Sequence, residues 1–111
     1  MKFPLETAWH WSLSDELEGW SYGSKDISPV ASASVVHVDG RHGKSKTTVS
    51  DRVVYILDGE GEYVVGDDVF AVRQTDVIII PKNTAFDYSG KMKLLVVHVP
   101  AYDHEHEVSL E

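Results

Sequence analysis

The chain has 111 residues, of which 42% are apolar, enough for one hydrophobic core and too few for two ordinary domains. Its formal net charge of −8 repels phosphate backbones and offers no broad basic face, so nucleic acid is not an expected partner. The absence of cysteine excludes a disulfide framework, a zinc–thiolate cluster and a cysteine nucleophile. The opening Met1-Lys2-Phe3-Pro4-Leu5-Glu6 lacks the apolar core of a signal peptide, and no run approaches the roughly 18 apolar residues of a membrane span. A cytoplasmic protein without membrane contact is therefore expected.

Residues 1–30 read as an N-terminal arm, with Trp9, Trp11, Trp20 and Tyr22 set among Ser, Gly and acidic residues. Thr7 to Leu13 places Trp9, Trp11 and Leu13 on one face with the period-two spacing of a half-buried strand. Such an arm covers apolar surface, either the outer wall of its own domain or a partner subunit. Ser14-Asp15-Glu16-Leu17-Glu18 begins like a capped helix that Gly19 stops after about one turn.

From Ala31 to Pro100 the pattern becomes short β-rich runs: Ser32 to Val38, Thr47 to Leu57, Glu62 to Val65, Val69 to Val72, Val77 to Ile80 and Leu94 to Val99. Asp39-Gly40, Asp58-Gly59 and Gly66-Asp67 are hairpin-type turn signals between them. Many short strands with regular turns and no sustained helical period predict an all-β jelly-roll barrel over residues 31–100. Residues 101–111 read as a polar C-terminal tail. Within the barrel, Arg41, Lys44, Lys46 and Arg52 crowd into one stretch offset only by Asp51.

Val53-Val54-Tyr55-Ile56-Leu57-Asp58-Gly59-Glu60-Gly61-Glu62, with Thr75-Asp76-Val77-Ile78-Ile79-Ile80-Pro81, resembles the cupin superfamily in its small single-domain form. The family's first motif runs glycine, five residues, His-x-His, three or four residues, glutamate, six residues, glycine. Gly40 and Gly59 fall at its ends. The three-residue spacing puts Lys46 and Thr48 at the histidine positions and Arg52 at the glutamate. The second motif retains Pro81 and Asp76 but has Thr75, Asn83, Phe86 and Gly90 at its other marked places, so the fourth ligand position is Phe86. The resemblance implies a double-stranded β-helix barrel with a degenerate metal site.

Borderline divalent ions need deprotonated nitrogen and oxygen donors, and lysine and arginine repel them. No metal and no other cofactor is therefore expected. If these positions project inward as the family's ligands do, Lys46, Thr48, Arg52 and Phe86 offer two cations, a hydroxyl and an aromatic face. Such a set suits a small organic anion, which Arg52 binds through paired hydrogen bonds, and is compatible with metal-independent, isomerase-like activity.

His37 and His98 each lie inside a predicted strand and join the candidate ligand-binding set. If they meet across the barrel they supply a general base or, with His42, a relocated metal site for an oxygenase or isomerase. His42 is most simply a surface residue, and His104 and His106 belong to the tail. Tyr55, Tyr63, Tyr88 and Asp87 read as packing or turn residues with proton-donor capacity. A third reading is a non-catalytic interaction barrel. A homodimer, as is common among cupins, is the expected assembly. A one-residue bulge in any strand reverses which side chains face inward.

Overall fold

Alternation of buried and exposed side chains, broken at a few glycines, builds nearly the whole molecule. The computed structural model describes residues 1–111. Its nine strands are β1 (Trp9–Ser14), β2 (Leu17–Tyr22), β3 (Ser32–Arg41), β4 (Ser45–Thr47), β5 (Asp51–Val65), β6 (Asp68–Arg73), β7 (Val77–Ile80), β8 (Phe86–Val99) and β9 (Glu107–Ser109). All pairings are antiparallel, in the order β1-β2-β3-β8-β4-β9, with β5 joining β8 to β6 and β7.

The predicted β-rich runs fall within these strands, and Val77–Ile80 matches without change. Thr47 to Leu57 is divided between β4 and β5, while Glu62 to Val65 is the far end of the same β5. Gly66-Asp67 turns the chain between β5 and β6 as expected. Asp39-Gly40 and Asp58-Gly59 instead lie inside strands, where they bend rather than end them.

The bend in β5 sets which side chains reach the interior. Arg52, Val54 and Ile56 face inward at even positions. A register shift against β8 between Ile56 and Asp58 then inserts one residue, and the inward position becomes Tyr63, which is fully buried. A bulge of this kind reverses the facing of everything beyond it.

A second bend brings the halves of the sheet together. Gly40 on β3 and Gly61 on β5 both pair with Gly90 on β8, so three glycines lie side by side across three strands. Gly90 has φ +141°, and a Cβ there would stand 2.6 Å from both the Glu60 carbonyl oxygen and Gly61 Cα. Fully extended, β8 would hold Phe86 and His98 about 40 Å apart. Yet Arg52, which pairs with His98, lays its guanidinium 4.3 Å from the centre of the Phe86 ring. The sheet therefore curls over itself and encloses one core, including Leu17, Val36, Ile56, Ile78, Leu94 and Val96. Each fully buried aliphatic side chain in it contributes about 1.5–3 kcal/mol.

Two expectations are corrected. Ser14 to Leu17 is the tight turn of the β1–β2 hairpin, not a helical turn; the strands on either side pair, and a single turn of helix has no packed face to hold it. The C-terminal segment is not a free tail, because Glu107–Ser109 pairs with Ser45–Thr47.

The close approach at Gly90 gives a stability prediction. Gly90→Ala should lower the free energy of unfolding by about 2–4 kcal/mol in urea denaturation, through backbone strain and overpacking. Gly66→Ala, at φ +59° with only Thr84 Cγ2 at 4.0 Å, should cost about 1 kcal/mol. Equal losses would contradict the close approach at Gly90.

Candidate functional site

Neighbouring strands place three polar residues in one layer. Ser32 on β3 and Arg52 on β5 both pair with His98 on β8, and all three are buried. The next layers along the same strands hold Ser34, Val96 and Val54, then Val36, Leu94 and Ile56. The interior thus grades from polar to apolar along the strands. Its polar end opens into a cavity of about 500 Å³.

Arg52 is 5% exposed. Its guanidinium covers Phe86, its Nη1 lies 3.5 Å from Glu107 Oε1, and its Nε is buried without a hydrogen-bond partner. A charge-assisted hydrogen bond is about 2.7–2.9 Å long. Glu107 therefore balances the charge while leaving donors of the guanidinium unused, an arrangement that favours an additional acceptor in the cavity.

His98 is 4% exposed, and neither ring nitrogen has a hydrogen-bond partner. Burial first, and the neighbouring Arg52 charge second, push its pKa down to about 3, so the ring is neutral. It packs against Tyr102, with ring centres 4.9 Å apart and the planes tilted by 56°. Tyr102 is itself fixed at both ends: its backbone N–H donates to Ser32 Oγ at 2.8 Å and its hydroxyl donates to Glu107 Oε2 at 2.5 Å.

On another wall, Tyr88 lies between two rings, 4.9 Å from Tyr63 and 4.7 Å from His42. Burial raises the Tyr88 pKa well above the ordinary tyrosine value, so the phenol keeps its proton. His42 Nδ1 is 2.8 Å from the Gly43 carbonyl oxygen. A carbonyl only accepts, so Nδ1 carries the proton and Nε2 is left as a free acceptor. Burial, supported by Arg52, lowers the His42 pKa. His42 is thus a neutral base of fixed tautomer lining the cavity.

The β1–β2 hairpin forms the rim. Trp11 Nε1 donates to Ser21 Oγ at 2.9 Å, and Ser21 Oγ is 2.9 Å from Ser34 Oγ. The indole lies against Gly19, where an added Cβ would fall 2.3 Å from the ring. Trp9 and Leu13 also line the cavity and remain largely exposed. The expected arm over an outer wall is therefore, on the β1 side, part of the cavity's edge.

Of the residues singled out by sequence, the structure brings Arg52, Phe86 and His98 together. Lys46 and Thr48 lie off the cavity, and Thr48 Oγ1 donates to the His106 carbonyl. Ser45 and Thr47 are the buried residues of β4. The inward residues of this short strand are thus one position before those that the motif frame marks, and Lys46 and Thr48 turn away from the interior.

His37 lies on the opposite face of β3 from the inward Ser32, Ser34 and Val36. There it contacts Trp20 at 4.8 Å and stands 3.8 Å from Glu18 Oε1. His37 therefore does not join His98 and His42, which both line the cavity. Sequence reasoning missed Tyr102 and Glu107 as site residues, admitted His42 only as part of a relocated metal site, and read Tyr88 as a packing residue with proton-donor capacity. The alternation of aromatic and acidic residues in the final segment was the signal available for Tyr102 and Glu107.

The inward side chains at and beside the frame positions are Ser45, Thr47, Arg52 and Phe86, and no three His, Asp or Glu side chains come together as a cation-binding group. Two hydroxyls, a cation and an apolar ring do not fit the divalent ion that the cupin family implies.

No family model matches the chain. It is 30% identical over 89 residues to an uncharacterized protein of Methanocaldococcus jannaschii, MJ1618, covering 77% of this chain and 65% of that protein's length. Among solved structures it is similar to Pac13, described as a nucleoside dehydratase with a β-barrel structure, with a TM-score of 0.88 and 22% identity over 100% of this chain and 91% of that one. Streptomyces PAC13 variants have been solved with uridine. KdgF from Halomonas sp. matches with a TM-score of 0.78 and 14% identity over 93% of this chain and 96% of that one. Oxalate decarboxylase from Bacillus subtilis matches at 0.85 and 11%, over 97% of this chain and 31% of that one. These are cupin-fold proteins. The chain has the fold of a single cupin-type barrel, and no helix in it is long and apolar enough to cross a membrane.

The neutral His98 makes folding pH-dependent with a defined sign. Below the ordinary histidine pKa of 6.5 the unfolded chain takes up a proton that folded His98 refuses until about pH 3. Stability should therefore fall as pH drops through that window. His98→Gln should flatten the stability–pH curve between pH 6 and 4 by up to about 1.4 kcal/mol per pH unit in urea denaturation. Parallel curves for the two proteins would contradict a buried, neutral His98.

Proposed function

We propose that this barrel binds a small organic anion at Arg52 and transfers a proton at the neighbouring carbon without a metal, with His42 as the base. The observation that carries the reading is the pairing of a buried cation that has unused donors with a neutral imidazole of fixed tautomer on one cavity. A carbonyl or carboxylate held by Arg52 acidifies the adjacent C–H. His42 Nε2 takes that proton, and the enolate that forms is stabilised by the guanidinium.

Two outcomes use the same first step. Returning the proton to a different carbon isomerises the substrate. If a hydroxyl stands one carbon further on, collapse of the enolate forms C=C and breaks C–O, and the proton carried by His42 leaves with the hydroxyl as water. The description of Pac13 as a nucleoside dehydratase supports the second outcome for a barrel of this shape. Trp9, Trp11 and Tyr102 provide aromatic surface around the ligand.

Solvent exchange tests the reading without knowledge of the natural substrate. In D₂O, a panel of 2-keto and 3-keto carboxylates followed by proton NMR should include one that exchanges its acidic C–H faster with protein than without. His42→Gln should slow that exchange by about 10²–10⁴-fold with affinity nearly unchanged, whereas Arg52→Gln should weaken binding at least tenfold. Exchange that survives in His42→Gln would overturn the assignment of the base.

A further inference from the structure

His98 is the buried group that this chemistry leaves unused, and its surroundings specify what it meets. We infer that it reads a hydroxyl of the ligand on the first or second carbon from the anionic group, so that the substrate class is 2- or 3-hydroxy acids and their carbonyl analogues. The inference rests on the anion-binding reading of Arg52 and deepens it.

A neutral imidazole presents one N–H donor and one bare acceptor. Both are buried and unpartnered on the cavity wall. A simple carboxylate or phosphate offers only acceptors, which leaves the bare nitrogen without a donor. A hydroxyl supplies the missing donor and accepts as well. On β3, Ser32 Oγ accepts from the Tyr102 N–H, and the Tyr102 hydroxyl donates to Glu107. Neither hydroxyl is hydrogen-bonded to the His98 ring, whose two nitrogens have no protein partner.

Position follows from register. Arg52 and His98 face each other on adjacent strands, about 5 Å apart at the backbone. Both side chains line the one cavity and the Arg52 charge is felt at the His98 ring, so an acid group on the guanidinium brings the carbons nearest to it within reach of the imidazole. Tyr102 packs beside His98, with ring centres 4.9 Å apart and planes tilted by 56°, and the burial of the ring limits its reorientation before the ligand arrives.

Calorimetric titration with butyrate, 2-hydroxybutyrate and 3-hydroxybutyrate isolates the hydroxyl. Wild-type protein should bind the better hydroxy acid about tenfold more tightly than butyrate. His98→Phe should reduce that preference to less than twofold. His98→Gln, which keeps a donor and an acceptor, should retain part of it, and thermal melts confirm that each variant is folded. In ¹⁵N-histidine spectra of wild-type protein, the His98 ring nitrogens should shift with the hydroxy acid and not with butyrate. Equal binding of all three acids, or a preference that survives in folded His98→Phe, overturns the hydroxyl subsite alone. If none of the acids binds wild-type protein, the anion-binding reading of Arg52 falls and the subsite with it.

Discussion

The close passage of β8 against β5 at Gly90 and Gly61 is the constraint on which the rest of the molecule depends. With no side chain at Gly90, β8 approaches the β5 backbone to a distance that a Cβ would forbid. The sheet can then fold over rather than continue as an open ribbon. One arm of the fold carries Phe86, Tyr88 and Tyr63; the other carries Arg52 and His98. Their meeting is a consequence of the bend, and the cation over the Phe86 ring is its most direct signature.

Once the sheet closes, strand register decides where the polarity lies. The layer of Ser32, His98 and Arg52 has polar residues on all three strands, while the layers beyond it turn to valine, isoleucine and leucine. A buried layer of this kind is unfavourable for folding unless its donors and acceptors find partners. Here they are only partly met. Glu107 reaches Arg52 from the final strand, and Tyr102 supports His98 by ring contact rather than by hydrogen bonding. The last residues of the chain are therefore part of the site, held there by the pairing of β9 with β4.

The barrel was legible in the sequence because strand alternation, turn glycines and the spacing of the motif frame are local features that all point to one architecture. Arg52 and Phe86 were legible for the same reason. Lys46 and Thr48 were misplaced because a motif frame counts residues but not facing, and a one-residue offset reverses the facing of a three-residue strand. His42 was hidden by its setting among basic and glycine residues: its burial comes from Tyr88 and Phe86, more than forty positions away, stacking on it. Glu107 was hidden because a short polar segment acquires strand structure only when a partner edge is present to pair with it.

The account stands on the unused hydrogen-bonding capacity of Arg52 and His98, and a high-resolution crystal structure of the ligand-free protein measures it most directly. The expected result is density for ordered water or a trapped anion bridging Arg52 Nε and the His98 ring, with Glu107 still about 3.5 Å from the guanidinium. A Glu107 carboxylate closed onto Arg52 in a two-point hydrogen bond, with protein atoms capping both His98 nitrogens, would show a self-satisfied interior and contradict the account.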